Sequence, residues 1–271
     1  MKIPIFTKGI FLLIALFFTL GIYLSIPVLF NYKSIENIIE SKFYSDFNIN
    51  LNINGDIKYQ LLPKPNLLIS DSSLSIIEKN NEDISFDIKN LKVFMNSNSL
   101  YPKSKINFEK FEIQNTNFIL KKKEYVTLRH YFHNSESKPF RIKKSKIFIV
   151  DDKDETLVIS PIEKINFITS KQDNFKKLNI KGILFDLNFK SLWKKKYNSE
   201  MNSQIEVDFK EPNFLIKNQL NYNNSSSLDG STLLTFFNQN IEIDYILENN
   251  KITVSSPCLL YTSDAADEGL G

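Results

Sequence analysis

The segment INLNINGDIKYQL, residues 49–61, places Ile49, Leu51, Ile53, Ile57, Tyr59 and Leu61 at alternate positions, with Asn, Asp, Lys and Gln between them. Successive side chains of a strand point to opposite faces, so this period of two predicts a half-buried β-strand. Gly55 fills the one slot of the apolar series that lacks a side chain, which predicts a bend or bulge midway. Pro63 and Pro65 end the strand, because neither can donate a hydrogen bond to a ladder.

The same spacing recurs along the chain. Ile84, Phe86 and Ile88 alternate, then Leu91, Val93 and Met95, and the pattern returns at Ile106/Phe108, Phe111/Ile113, Ile147/Ile149, Leu157/Ile159, Ile165/Phe167 and Ile183/Phe185/Leu187. Ile205/Val207/Phe209 and Phe214/Ile216 follow, and Ile241, Ile243, Tyr245 and Leu247 lead through Asn249-Asn250 into Ile252 and Val254. Adjacent asparagines tolerate the positive φ of a tight hairpin turn. No long amphipathic helix separates these segments, so antiparallel pairs joined by short polar turns are expected. The fold class is mainly β. Two arrangements stay open: a curved antiparallel sheet whose apolar face forms an open groove, or a closed β-sandwich.

Upstream lies a stretch of another kind. Residues 9–30, GIFLLIALFFTLGIYLSIPVLF, contain no charged side chain over 22 residues. As a helix it would reach roughly 33 Å, enough for a hydrocarbon core of about 30 Å. A cleaved secretory signal would have a shorter apolar core and a small-x-small cleavage site, whereas Ala15 is the only alanine before residue 265, so an uncleaved transmembrane helix is expected. Lys2 and Lys8 precede it and Lys33 and Lys42 follow it, so short-range charge hardly sets the orientation. Long domains translocate largely regardless of charge, which places residues 1–8 in the cytoplasm and the rest outside it. Residues 31–47 read as a short amphipathic helix capped by Ser34, with Ile35, Ile38, Ile39, Phe43 and Phe47 near one face. Residues 48–257 then form one β-rich exported domain.

Composition excludes several classes. The formal net charge is +3 with lysines scattered among acids, which leaves no nucleic-acid footprint, and the single cysteine cannot form an intrachain disulfide. His130 and His133 lie three apart without a third ligand at matching distance and read as an exposed loop pair. Asp151-Asp-Lys-Asp-Glu155 lacks the Gly and terminal Glu of a calcium loop and reads as a solvated turn. Lys121–Lys123 and Lys194–Lys196 also read as solvated turns, with contact to anionic headgroups as the alternative for both runs, particularly beside Trp193. No Gly-rich phosphate loop, nucleophile elbow or paired His and carboxylate signature occurs, so no catalytic residue, cofactor or metal is expected and the chain does not read as an enzyme.

The last residues change style. Cys258-Leu-Leu-Tyr-Thr-Ser-Asp-Ala-Ala-Asp-Glu268 holds two of the three alanines and the sole cysteine, and it resembles the translated adapter of a transposase-based sequencing library. Residues 258–271 are therefore expected not to be native, with the natural chain continuing beyond Pro257.

A span, a short helix, then Ile53-Asn-Gly55-Asp-Ile57-Lys-Tyr59-Gln-Leu61-Leu62-Pro63-Lys-Pro65-Asn-Leu67 and Asp71-Ser-Ser-Leu74-Ser-Ile76 resemble the start of the AsmA family of envelope proteins. The likeness continues more loosely through residues 83–120, and Tyr101-Pro-Lys-Ser-Lys105 departs from the family's small or Gly-containing turn. AsmA-like proteins are similar to bridge-like lipid transfer proteins. The resemblance implies an inner-membrane protein with one span, a periplasmic C-terminal domain, and a β-groove that binds phospholipid for inter-membrane transport and outer-membrane homeostasis or assembly. The candidate groove residues are Ile49, Leu51, Ile53, Ile57, Tyr59, Leu61, Ile84, Phe86 and Ile88, with other envelope proteins as further partners. The competing reading is a membrane-tethered β-sandwich serving as a structural or protein-interaction module. A hydrolase would need a site beyond residue 257.

Overall fold

The computed structural model describes residues 5–62, 64–77, 84–96, 106–121, 123–134, 138–170, 174–196, 203–222, 227–237, 239–248 and 251–256. Leu100, the Tyr101–Lys105 turn, the Asn249-Asn250 turn and residues 258–271 lie outside them. The chain is mainly β, with an apolar N-terminal helix and a short helix ahead of the strands. It divides into two compact units, Met1–Ile113 and Gln114–Gly271.

Helix α1, Ile5–Ser25, is long and apolar enough to cross a membrane, with mean hydropathy 2.0 over Lys8–Ser25. It ends before the expected Phe30. Pro27 lacks an N–H and its ring clashes with the preceding turn, so Ile26–Leu29 tightens into a 3-10 turn. The sheet supplies a partner for the carbonyls left at the helix end: the Tyr59 hydroxyl donates to the Leu24 carbonyl at 3.1 Å.

Helix α2, Glu36–Phe47, begins after a second 3-10 turn, Lys33–Ile35. Ser34 does not cap it. Its hydroxyl instead donates to the Asn31 carbonyl, and the Asn31 side chain accepts from the Lys33 N–H, so the local polar bonds are spent on the turn. Asn48 closes the helix in the left-handed region, φ 54°, with its N–H on the Tyr44 carbonyl. Ile35, Ile39, Phe43 and Phe47 are buried at a four-residue spacing, whereas Ile38, a turn aside from that ridge, is 45% exposed.

The first unit's sheet contains β1 (Asn50–Ile53), β2 (Ile57–Gln60), β3 (Asn66–Ile76), β4 (Ile84–Met95) and β5 (Phe108–Gln114). β1 and β2 both pair antiparallel with β3, then β4 and β5 follow in order. The expected strand over residues 49–61 is thus one line broken at Asn54–Asp56, opposite Asp71 at φ 47°. Burial in β3 changes parity at Asp71: Leu67 and Ile69 are buried before it, Ser72, Leu74 and Ile76 after it. Gly55 belongs to this break because a Cβ there would lie 2.3 Å from the Ser70 carbonyl oxygen. Gly55→Ala is expected to destabilise the unit by about 1–3 kcal/mol, the usual range for overpacking against groups that cannot yield; chemical denaturation of the isolated variant checks this.

The second unit contains β6 (Asn117–Lys121), α3 (Glu124–Asn134), β7 (Phe140–Val150), β8 (Thr156–Ser170), β9 (Phe175–Leu184), β10 (Leu187–Lys196), β11 (Ser203–Phe209), β12 (Phe214–Tyr222), β13 (Ser227–Phe236), β14 (Gln239–Glu248) and β15 (Lys251–Ser255). From β7 to β15 each strand pairs antiparallel with the next, and the path does not return to its start. One pair breaks the expected pattern. β6 runs parallel to β7, and α3 supplies the crossover that a parallel pair needs. The segment Ile183/Phe185/Leu187 is not a strand either: Phe185 and Asp186 both have positive φ and form the two-residue turn between β9 and β10, with Leu184 opposite Leu187. Among the described residues no second sheet closes a sandwich in either unit: helix α2 packs on the first sheet, and β7 to β15 of the second form one open antiparallel run.

Candidate functional site

Six of the nine nominated groove residues lie in the first unit's own core. Ile49, Leu51, Ile53, Tyr59, Ile84 and Ile88 are buried, and Ile57, Leu61 and Phe86 are half-buried. The cover is α2, whose Ile39, Phe43 and Phe47 have no solvent exposure. The Phe43 and Phe47 rings meet Phe111 of β5 at centroid distances of 5.3 and 4.8 Å. Two carboxylates tie the helix to strand backbone: Glu40 accepts from the Ile53 N–H at 2.8 Å and Asp46 from the Phe108 N–H at 3.3 Å. Tyr59 stacks on Tyr32 and fastens the end of α1. The sequence alone shows that these side chains share an apolar pattern, not that the neighbouring helix would fill the space above them.

The second unit presents a different surface. Cross-strand pairs share a face of a sheet, so the register sorts its residues directly. On one face Phe189, Phe209, Phe214 and Phe236 form a row across β10–β13, with ring centroids 6.1, 6.0 and 5.8 Å apart. Beside it run Ile180, Ser191, Val207, Ile216, Leu234 and Ile241, and next Leu178, Trp193, Ile205, Asn218, Thr232 and Ile243. The opposite face of the same strands carries Lys181, Lys190, Asp208, Lys217, Glu206 and Glu242.

Within this unit α3 covers only the beginning of the apolar face. Phe132 contacts Phe140 and Phe167 at 6.1 and 5.6 Å, and Phe167 is fully buried. From β9 onward no described helix or sheet of the unit lies over the face, and exposure rises along it: Ile180, Val207 and Ile216 are half-buried, while Phe236, Ile241, Leu247, Ile252 and Val254 are exposed. The face has a small polar inset, where Asn218 donates to the Thr232 and Tyr245 hydroxyls, both at 2.7 Å. Tyr245 lies across Gly230, its cross-strand partner, where a Cβ would meet the ring at 2.4 Å. The aromatic ring thus covers the backbone that glycine leaves bare.

The remaining sequence features fall into structural roles. Lys194–Lys196 lies inside β10 and not in a turn, so Lys195 shares the apolar face with Trp193 while Lys194 and Lys196 point the other way. Burial pushes the Lys195 amine below its ordinary value. Asp151 closes the β7–β8 turn by accepting from the Lys153 and Glu155 N–H groups, and Asp154 pairs with Lys121 at 2.7 Å. His130 and His133 are on α3 and not in a loop. Among the described residues no three His, Cys, Asp or Glu side chains gather as a metal site.

These features define a class: a chain with an N-terminal membrane-length helix followed by a β-rich region in which an open antiparallel sheet has one apolar and one charged face. No protein-family model matches the chain, and no curated protein matches it.

Proposed function

We propose that the second unit binds phospholipid acyl chains on its apolar face and that the chain is an AsmA-like, inner-membrane-anchored periplasmic protein acting in inter-membrane lipid transport and outer-membrane homeostasis. The carrying observation is the mainly apolar face from β9 to β15, interrupted by Ser191, the Asn218 inset and Lys195, which no described element of that unit covers. Apolar surface of this extent is costly in water, and acyl chains repay about 0.8 kcal/mol for each buried methylene. The opposite face is charged, so acyl chains have only one side of the sheet on which to lie. The mechanism is passive: the sheet shields the chains while headgroups stay in water, and α1 holds the protein at the membrane that supplies them. The proposed activity involves no chemical step.

Limited proteolysis of the full chain in neutral micelles, with and without added phospholipid, tests the proposal. Lipid is expected to protect sites in residues 203–256 and to leave those in the helix-covered first unit unchanged. Equal cleavage in both conditions would favour a tethered module whose partners are proteins.

A further inference from the structure

The charged face of the second unit carries a pattern that acyl-chain binding does not use. Lys143 on β7, Lys164 on β8, Lys181 on β9 and Lys190 on β10 stand directly opposite one another across four successive strands, and the row ends at Asp208 on β11. Strands lie about 4.8 Å apart, so the four lysines span roughly 14 Å. Like charges placed directly opposite destabilise a sheet. Three such pairings in succession are a cost that solvation alone gives no reason to concentrate in one row. Lys181 pairs with Glu163, but Lys164 and Lys190 on either side of it form no ion pair with a described acidic residue.

The row is also where the surface is concave. Lys164, Lys181 and Lys190 line a cleft of about 370 Å³ together with Asn166, Asn179, Glu206 and Asp208. An adjoining cleft of about 570 Å³ shares Lys181 and Lys190 and adds Lys144, Lys146 and Lys210, with Glu163 as its one acid. Together they present six lysines against three carboxylates, with the two shared lysines between them. A single small anion would engage one cleft. Two linked anionic centres would engage both through Lys181 and Lys190, with the Asn166 and Asn179 amides as additional donors. Ammonium groups bind phosphoryl oxygens as compact point charges and need no planar, two-pronged geometry.

We propose that these clefts form a binding site for a diphosphate group, held between Lys164, Lys181 and Lys190, on the face opposite the apolar one. The same chemistry is offered by a free inorganic diphosphate and by the headgroup of a lipid diphosphate.

The test uses the full chain in neutral detergent micelles at low salt, titrated calorimetrically with inorganic pyrophosphate and, separately, with micelles doped with a polyprenyl diphosphate. Two variants accompany the wild type: Lys164→Gln/Lys190→Gln, and Lys217→Gln/Lys251→Gln, whose lysines belong to the same sheet but line neither cleft. Binding of either probe that weakens at least about tenfold in the first variant, the loss expected for charge-assisted contacts, and is unchanged in the second, supports the site. Pyrophosphate binding identifies a soluble group as sufficient, and binding of the doped micelles alone identifies a lipid headgroup. Absence of binding by both probes, or equal losses in the two variants, overturns the proposal.

Discussion

Replacing Val207 and Ile216 together by Asp is expected to strip phospholipid from the purified protein while leaving its sheet and its membrane insertion intact. The two residues are cross-strand partners on β11 and β12, in the middle of the apolar face and half-buried. A carboxylate facing acyl chains costs on the order of 2.5–3.5 kcal/mol, so two of them should lower lipid association by more than about a hundredfold. Neither position is enclosed, so each new carboxylate keeps access to water in the lipid-free protein and the fold has little to lose. The control is Lys217→Gln, on β12 but on the other face and outside both lysine clefts. Phosphorus per mole of purified protein reads the effect, and circular dichroism checks the sheet. Unchanged lipid in a folded Asp variant would mean that acyl chains do not lie on this face. The substitutions that the sequence pattern nominates, Ile53→Asp and Ile57→Asp, report something else: Ile53 is a buried side chain of the first unit, so a charge there is expected to unfold that unit.

Phe43→Ala is expected to cost the first unit about 3–5 kcal/mol, the range for truncating an aromatic side chain in a closed core. Phe43 has no solvent exposure, and its ring sits 4.7 Å from Phe47 and 5.3 Å from Phe111, centroid to centroid. The cavity would open between α2 and the sheet, where Glu40 and Asp46 each accept a hydrogen bond from strand backbone. A midpoint shift in chemical denaturation measures the loss. A cost below about 1 kcal/mol would show that α2 is not the cover of the first sheet and would return Ile49, Leu51 and Ile53 to candidacy as a lipid surface.

The difference between the two units explains how far the sequence could be read. Strand positions followed from the period of two because side-chain direction is local, and the break at Gly55 followed from the missing side chain. Which apolar face would be covered did not follow, because covering depends on what the topology brings above it. Residues 49–61 and 205–216 share the same alternation, yet α2 closes the first sheet, and in the second unit Phe132 of α3 meets Phe140 and Phe167 at the beginning of the face. The ladder Phe189, Phe209, Phe214 and Phe236 was hidden for a related reason: its members are distant in sequence and align only through the register of β10–β13. Their signal was present as an aromatic near one end of each strand. Two local misreadings have equally local causes. Ser34 and Asn31 spent their polar bonds on a turn and not on a helix cap, and Phe185-Asp186 took a two-residue turn although Ile183, Phe185 and Leu187 alternate like a strand. The end of α1 was legible in Pro27, whose ring and missing N–H stop an α-helix whatever the hydropathy of the residues beyond it.

The charged face was legible only as scattered lysines. Lys143, Lys164, Lys181 and Lys190 lie on four different strands and become a row only when the register is known. Small net charge therefore conceals a local concentration, which is the quantity that matters for binding an anion.

The central claim, that lipid lies on one face of the second sheet and not the other, is tested most directly by a photo-crosslinking side chain placed in turn at Val207 and at Glu206 of the membrane-expressed chain. The two positions are adjacent in β11 and point to opposite faces. Mass analysis is expected to find phospholipid adducts at position 207 and none at 206. Adducts at neither position would mean that protein covers the apolar face, and equal adducts at both would mean that lipid meets the sheet without regard to face; either result contradicts the account.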